Sequence, residues 1–388
     1  MAPIRLGIIG LSSKGWASAA LVPPLLHPTL SDKYIITALC TTSQESAKAA
    51  SEKYSEQLGH TVTPYFLPDG KDQIANDPNV DMVVISVRMP THFEALVPAV
   101  DAGKDIFIEW TPGKTFAETL KIAELIKKKG VRSLVGAQAN QSATVKKVKG
   151  LLETGKIGRV LSTSIIMTAT SAEAAFWGPT VLSGHSYVAD ATNGATPLTI
   201  PVGHNLAAVI DVLGDFREVT GAGSHNYPIT TVVDAEGNPT GETVNNPPHD
   251  QISISGTLSG KLYAEGAFIN LHCRAGLPLV GDKYKGRTIF RWVIDGEDGT
   301  IELLHREQDG PVFGGFMSVA EKTLLLNGIE VPVEETELDK LGNTAKAWYE
   351  YTKGNEGKYT TIDDAVRIHR VLDATLTSIK EGRKITLL

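Results

Sequence analysis

The first sixteen residues constrain the fold more than any other part of the sequence. An apolar strand pattern is followed by a short turn and then by an alanine-rich helical pattern. The turn and the first helical residue are Gly10, Leu11, Ser12, Ser13, Lys14, Gly15 and Trp16. A glycine-rich turn of this kind directs the N-terminus of a helix at a pyrophosphate. Ser12 replaces the middle glycine, and we expect its hydroxyl to donate to a phosphate oxygen.

The first third of the chain alternates strands and helices. The predicted strands are Ile4–Ile9, Tyr34–Cys40, Met82–Val87, Asp105–Glu109 and Arg132–Gly136. The intervening helices are predicted at Gly15–Leu26, Glu45–Gln57, His92–Ala102 and Phe116–Lys129. This order predicts a dinucleotide-binding Rossmann domain with a parallel sheet, residues 1–138. Ligands of such sheets bind beyond the carboxyl ends of the strands. The candidate cofactor-binding residues there are Thr41, Thr42, Ser43, Arg88, Pro90, His92, Glu109, Trp110 and Gln138.

Residues 139–388 have a different pattern. The predicted strands are Val160–Ala169, Glu218–Tyr227, Asp250–Ser259, Lys261–His272, Thr288–Asp295 and Gly299–His305. Helices are predicted at Ala143–Glu153 and Gly194–Gly214, with Ile362–Glu381 as a closing helix. We therefore expect a second α/β domain with a mixed, largely antiparallel sheet. Alternating residues at 252–258 predict that one face of this sheet is either exposed to water or covered by something variable.

Composition excludes several classes of protein. The 388 residues are enough for two domains, and the net charge of −7 disfavours broad contact with nucleic acid. Apolar stretches are too short for a membrane span, so a cytoplasmic location is expected, with nuclear access open for a regulator. The two cysteines and the histidines lack metal-ligand spacing, so no metal is expected.

Several motifs together resemble the glucose-fructose oxidoreductase and inositol dehydrogenase superfamily (Gfo/Idh/MocA). The motifs are Ile8-Ile9-Gly10, Pro90-Thr91-His92, the segment 102–109, the segment 152–158, and Gly203-His204 ahead of Gly214. Residues 10–17 and Ile108-Glu109-Trp110 are most similar to the fungal branch that includes the galactose-pathway repressor of yeasts. The resemblance implies a Rossmann domain joined to a C-terminal α/β domain for substrate binding and dimerisation. It also implies a homodimer in which the open face of the second-domain sheet is covered by a second copy, and residues 252–258 supply a candidate for that face.

The sequence departs from this family at the positions that carry its chemistry. Family enzymes have Glu-Lys-Pro after the fourth predicted strand, and this chain has Glu109, Trp110 and Thr111. The family's catalytic histidine is retained as His204. Its aspartate partner is replaced by Ile200, and a further family aspartate is replaced by Ala207. Loss of a donor near developing charge costs on the order of 10²–10³ in rate, so plain sugar oxidation is disfavoured.

We expect an NAD(P)-dependent oxidoreductase that acts on a small organic ketone, imine or enone. The resemblance implies that nicotinamide lies between Glu109-Trp110 and His204. His204 and Glu109 are the first catalytic candidates, and His185 and Tyr187 are held in reserve. Trp110 and Trp177 are candidates for an apolar substrate pocket.

Two alternatives remain open at this point. NADP is favoured over NAD because hydroxyl side chains, and no carboxylate, follow the second strand. The missing Lys and Asp also suit a non-catalytic, NAD(P)-binding transcriptional co-regulator that binds an activator peptide. Retention of His204 and a compact length favour the enzyme.

Overall fold

The chain forms two compact units in a computed structural model that describes residues 2–169, 176–276, 287–306 and 323–387. The first unit comprises Met1–Ala137 and Thr336–Val366, and the second comprises Gln138–Glu335 and Arg367–Leu388. The sequence division at residue 138 assigned all later residues to the second domain. The structure instead groups 336–366 with the first unit.

The first unit contains one parallel sheet. Its strands are β1 Ile4–Ile9, β2 Tyr34–Thr41, β3 Thr63–Phe66, β4 Met82–Ile85, β5 Asp105–Glu109 and β6 Ser133–Gly136. Their order is β3-β2-β1-β4-β5-β6, and every neighbouring pair is parallel. This confirms the Rossmann fold, whose strand order reverses between β1 and β4. The edge strand β3 was not predicted because it is four residues long, contains Pro64 and is partly exposed.

The helices of this unit follow the strands. They are α1 Val22–Leu26, α2 Pro28–Ser31, α3 Gln44–Leu58, α4 Gly70–Asn76, α5 His92–Asp101 and α6 Phe116–Lys129. A π-helical turn, Ala17–Leu21, precedes α1. The prediction of one helix over 15–26 was therefore too simple, because Pro23 and Pro24 lack the amide N–H groups that a continuous α-helix needs.

The second unit contains a larger, mixed sheet and a small one. The strands are β7 Val160–Thr168, β8 Thr180–Leu182, β9 Asp215–Ser224, β10 Ile229–Val233, β11 Pro239–Asn245, β12 Gln251–Ser259, β13 Phe268–Arg274, β14 Thr288–Gly296, β15 Thr300–Arg306, β16 Thr323–Leu326, β17 Ile329–Glu330 and β18 Ile385–Thr386. The large sheet has the order β17-β16-β15-β14-β7-β13-β12-β9-β18, and the small sheet has the order β11-β10-β8. In the large sheet only β7 and β13 pair in parallel among the described strands. The predicted, largely antiparallel second sheet is confirmed.

Several boundaries differ from the predictions for this unit. The strand predicted at Lys261–His272 begins only at Phe268, because a 3₁₀ turn and Gly266, with φ +75°, interrupt the extended backbone. The strand predicted at Glu218–Tyr227 is shifted to Asp215–Ser224. The small sheet was not anticipated at all. The predicted alternation along β12 is present, with Ile252 and Ile254 buried and their neighbours half-exposed.

The remaining helices are α7 Ala143–Glu153, α8 Gly203–Leu213, α9 Glu337–Lys340, α10 Asn343–Tyr351 and α11 Ile362–Glu381. The bounds of α7 and α11 match the predictions. The helix predicted at 194–214 is in fact a π-helical turn, Leu198–Val202, followed by α8.

Packing of α10 explains why 336–366 belongs to the first unit. Trp348 is fully buried, stacks on Phe107 with ring centroids 4.7 Å apart, and meets Tyr34 edge-on at 5.2 Å. The Tyr34 hydroxyl also donates to the carbonyl of Trp348 over 2.6 Å.

None of the helices that the structure describes is long and apolar enough to cross a bilayer.

Candidate functional site in the two units

Gly10 makes the closest backbone approach at the switch point of the first sheet. Its φ is +101°, and a Cβ at this position would lie 2.0 Å from the carbonyl oxygen of Ser86. The Gly10 amide donates to the carbonyl of Cys40 over 2.8 Å. No other residue fits here without a shift of backbone, because both the conformation and the space require a hydrogen in place of a side chain.

The loop from Gly10 to Trp16, here called the phosphate loop, is held from within and by α3. The Ser12 hydroxyl donates to the carbonyl of Lys14. In this conformation the hydroxyl is therefore used inside the loop rather than held ready for a phosphate. Lys53 donates to the Ser13 carbonyl over 2.8 Å, and the Tyr54 hydroxyl lies 3.3 Å from the Ser12 carbonyl.

The same loop presents groups that suit a pyrophosphate. Ser13, Lys14 and Gly15 are exposed. Among the described hydrogen bonds, none occupies the amide N–H of Ser13 or Lys14. Backbone amides without a described partner, on exposed residues that include a lysine, form the kind of donor site that binds anions. The residues present therefore fit a dinucleotide.

The three hydroxyl residues after β2 have different roles. Thr41 is buried, and its hydroxyl donates to the Ser43 carbonyl over 3.1 Å. The Ser43 hydroxyl caps α3 by accepting from the amide of Ser46 over 3.2 Å. Thr42 is exposed. Of the three candidates for a 2′-phosphate contact, Thr42 alone combines exposure with a hydroxyl that has no described structural use.

His92 connects the loops that follow β4 and β5. It is buried, with Nδ1 2.8 Å from the carbonyl oxygen of Thr111 and Nε2 3.1 Å from that of Val87. Burial lowers its pKa, although the two carbonyl contacts oppose that shift. The α5 cap is at Thr91. His92 therefore fixes two loops of the site to each other. Pro90 lies in the 3₁₀ turn between them, and Arg88 just before it is exposed.

Glu109 ends β5 with a carboxyl group in an unusual setting. Its Oε1 accepts from the indole Nε1 of Trp16 over 2.8 Å. Its Oε2 lies over Gly136, where a Cβ would be 2.6 Å away. Burial raises the pKa of Glu109 to about 7, and the hydrogen bond from Trp16 offsets only part of that effect. The carboxyl group therefore titrates near neutral pH.

Trp110 follows Glu109 and is buried, with 5% of its surface exposed. The peptide bond between Trp110 and Thr111 is cis. Thr111 is fully buried, and its hydroxyl donates to the Gly113 carbonyl over 2.6 Å. An apolar ring thus occupies the position that the family resemblance gives to a lysine.

His204 lies in the first turn of α8 in the second unit, with 4% of its surface exposed. Burial lowers the pKa of His204 to about 3. The imidazole is therefore neutral at pH 7, where it cannot supply the proton of an imidazolium. Asp211, two turns further along α8, accepts from Lys149 over 2.7 Å, so it is an ion-pair partner of α7.

The reserve candidates His185 and Tyr187 lie in one 3₁₀ segment of the second unit, Ser183–Ala189. The His185 ring is 5.5 Å from the ring of Phe176, which neighbours Trp177. Trp177 is buried and donates its indole N–H to the Val188 carbonyl over 2.9 Å. Tyr187 is partly exposed. These contacts give Trp177 a structural role, and its place in a substrate pocket stays a prediction.

The structure thus gathers some predicted residues and leaves others in separate units. Trp16 and Glu109 are in direct contact, whereas Gln138 begins the second unit and is buried. Sequence reasoning missed Gly136 and the two α3 residues that hold the phosphate loop. A glycine at the end of a strand beside Glu109 was the available signal for Gly136. Among the described residues, no group of three or more side chains is suited to bind a metal ion.

Comparison with known proteins divides the chain near residue 138, where the first unit gives way to the second along the sequence. Residues 4–137 match the family described as an oxidoreductase family with an NAD-binding Rossmann fold. Residues 143–304 match the C-terminal domain of Gal80p.

Two relatives are similar to this chain beyond either of these matched segments. Dehydrogenase aclE of Aspergillus oryzae is 29% identical over 387 residues, which is 98% of this chain and 97% of the relative. The galactose/lactose metabolism regulatory protein GAL80 of Saccharomyces cerevisiae is 26% identical over 270 residues, 66% of this chain and 58% of the relative.

Solved structures share the fold. A super-repressor mutant of Gal80p from Saccharomyces cerevisiae has a TM-score of 0.82 at 21% identity, covering 99% of this chain and 98% of that one. Levoglucosan dehydrogenase in complex with NADH and L-sorbose has a TM-score of 0.72 at 16% identity, covering 100% of both chains.

Proposed function

We propose that the chain is an NAD(P)-dependent oxidoreductase, because residues 4–137 match the oxidoreductase family with an NAD-binding Rossmann fold and residues 143–304 match the C-terminal domain of Gal80p. Its substrate is a small ketone, imine or enone. A relative of nearly equal length that is named a dehydrogenase supports the enzyme. The observation that carries the proposal is a carboxyl group with a pKa of about 7 at the carboxyl edge of the sheet that bears the phosphate loop.

The chain's own residues would bind the nucleotide through the phosphate loop. Gly10 would allow the tight turn at the end of β1, and the backbone amides of the exposed residues Ser13 and Lys14 would donate to phosphate oxygens. His92 keeps the loops after β4 and β5 in register. The bound nicotinamide supplies or accepts the hydride. NADP is the proposed form, with Thr42 contacting the 2′-phosphate.

Glu109 is the proposed proton carrier. A carboxyl group with a pKa near 7 exists in both forms at neutral pH, which suits a general acid or base. His204 does not suit the role of general acid, because its imidazole is neutral across the physiological range. We assign it hydrogen bonding to the substrate. Trp110, in place of a lysine, favours a substrate with a low polarity around the reacting carbon.

The nucleotide site is tested by Gly10→Ala. The new methyl group would meet the Ser86 carbonyl, so we expect NADPH and NADH to bind at least about 100-fold more weakly by calorimetry. Gly150→Ala is the matched control, because a methyl group there meets nothing within 4 Å. Circular dichroism establishes that both variants fold. A folded Gly10→Ala protein with undiminished affinity would refute the site.

The match of residues 143–304 to the Gal80p domain favours a second candidate function. In that case the chain is a non-catalytic co-regulator that binds a nucleotide and an activator peptide. Tight NADPH binding without cofactor oxidation across ketones, imines, enones and sugars, together with capture of an activator peptide, would favour it. We also propose a homodimer through the alternating face near residues 252–258, which light scattering tests.

A further inference from the structure

The hydrogen bond between Trp16 and Glu109 joins two distant parts of the first unit. Trp16 is the last residue of the phosphate loop, and Glu109 is the last residue of β5. In the sheet, β4 separates β5 from β1. The indole, 40% exposed, therefore reaches across the carboxyl end of β4 to donate over 2.8 Å.

Gly136 has no side chain, and this leaves room for the carboxyl group of Glu109. Glu109 pairs with Gly136 in the register of β5 and β6. Any side chain at 136 would begin 2.6 Å from Oε2 and expel the carboxyl group. In that seat the carboxyl group has one described side-chain donor, the indole of Trp16. Its charged form is thus stabilised by one identifiable contact.

The phosphate loop is held at its other side by α3. Lys53 and Tyr54 contact the carbonyls of Ser13 and Ser12. Gly15, with φ +110°, lies between these contacts and Trp16, and beyond Trp16 the same two α3 side chains contact the Ser18 hydroxyl in the π-helical turn. Trp16 is therefore the attachment of the loop to β5 within the described contacts.

We propose that Trp16 is a positioning residue that holds the Glu109 carboxylate over Gly136 and couples the ionisation of Glu109 to the placement of the phosphate loop. The proposal assigns a role within the function proposed above, and it rests on that function only for its consequence in turnover. An ionised carboxylate accepts an indole N–H more strongly than a neutral carboxyl group does. Deprotonation therefore draws Trp16 towards β5, and protonation loosens that attachment.

The groups around Glu109 do not supply a competing charge. Gly136 on β6 and Ser86 after β4 are uncharged. His92 on α5 directs both ring nitrogens at backbone carbonyls, and Arg88 is exposed. Burial and Trp16 are the two influences that act on the ionisation of Glu109.

The coupling is measurable in the protein without nucleotide. The chain has five tryptophans, and their indole N–H signals are resolved by ¹⁵N NMR and assigned by Trp16→Phe. Between about pH 5.5 and about pH 8.5, we expect the Trp16 signal to shift with the titration of a neighbouring carboxyl group. The Trp177 and Trp292 signals are internal references, because their N–H groups bond to Val188 and Thr163.

Two variants decide whether Glu109 is the titrating group. In Glu109→Gln the Trp16 signal should stop shifting with pH, and in the control Glu124→Gln, an exposed position on α6, it should shift as before. A Trp16 signal that is constant with pH in the wild-type protein would overturn the proposal. So would a titration that persists in Glu109→Gln.

Trp16→Phe tests the positioning role itself. It keeps an aromatic ring and removes the N–H that favours the carboxylate, so the Glu109 titration midpoint should rise by about one unit or more. Carboxyl ¹³C NMR of labelled glutamate measures that midpoint. An unchanged midpoint overturns the role of Trp16. If the Trp16 signal shifts with pH as expected but no substrate is turned over, the proposed function fails and this inference stands.

Discussion

Glu109 in the first unit and His204 in the second are both titratable, and burial changes their ionisation in ways that lead to opposite chemistry. Burial raises the pKa of the Glu109 carboxyl from the usual acidic range to about 7. Burial lowers the pKa of the His204 imidazole from near neutrality to about 3. Both shifts have one cause, because a buried site penalises whichever form is charged.

The comparison shows that residue type alone did not identify the proton carrier. Histidine is the side chain that ordinarily titrates near neutral pH, and the sequence pointed to His204 for that reason. In the folded protein the Glu109 carboxyl group titrates near neutral pH, and the His204 imidazole titrates far below it. We therefore expect Glu109 to set the pH dependence of turnover.

The largest expected effect is on turnover. Glu109→Gln should lower kcat by roughly 10²- to 10⁴-fold, since general acid–base catalysis contributes about that much. His204→Gln should lower kcat by roughly tenfold, the cost of a lost hydrogen bond, and should leave the pH midpoint where it was. Steady-state kinetics across pH, with Glu124→Gln as control, check both. A larger loss in His204→Gln would reverse the assignment.

The next effect is on acid stability. The folded pKa of His204 is depressed, so its stabilising contribution is present above the unfolded value and is lost as pH falls towards the folded value. Near pH 4.5 the wild-type protein should lose about 2 to 3 kcal/mol through this group. His204→Gln should lose correspondingly less in urea unfolding. The exposed His225→Gln is the control, and an equal effect in both would contradict burial as the cause.

The smallest effect is the corresponding change at Glu109. Its folded pKa is raised, so its contribution is present below the unfolded value and is lost as pH rises through about 7. At about pH 6, Glu109→Gln should therefore be more stable than the wild-type protein by about 2 kcal/mol, and below the unfolded pKa the gain should vanish. Urea unfolding at the two pH values measures this difference. A gain that is independent of pH would point to packing instead.

Local sequence signals were sufficient for much of the fold. The bounds of α7 and α11 could be predicted because apolar periodicity and the residues at the ends of a helix indicate it in the sequence. Ser142, which caps α7, is such a residue. The parallel strands of the first unit were recognisable as short apolar runs. The strand β3 and the small sheet β11-β10-β8 were not, because short and exposed strands owe their structure to their neighbours.

The roles of site residues could be predicted only where the backbone determined them. Gly10 is required by its own conformation and by its closeness to Ser86. The hydroxyls of Ser12 and Ser43, in contrast, were expected to face phosphates, and folding engages them with Lys14 and Ser46. A hydroxyl that can bond to several partners gives no sign in the sequence of which one it meets.

The sequence by itself determined the alternation of strands and helices that identifies the first unit, the glycine at the switch point and the replacement of the expected lysine by Trp110. Tertiary structure alone decided that Trp16 meets Glu109, that Gly136 seats the carboxyl group, and that α10 packs with the first unit. The physical reason is that helix and turn preferences act between near neighbours in the chain. A pKa, by contrast, depends on burial and on contacts that bring residues 16, 109 and 136 together.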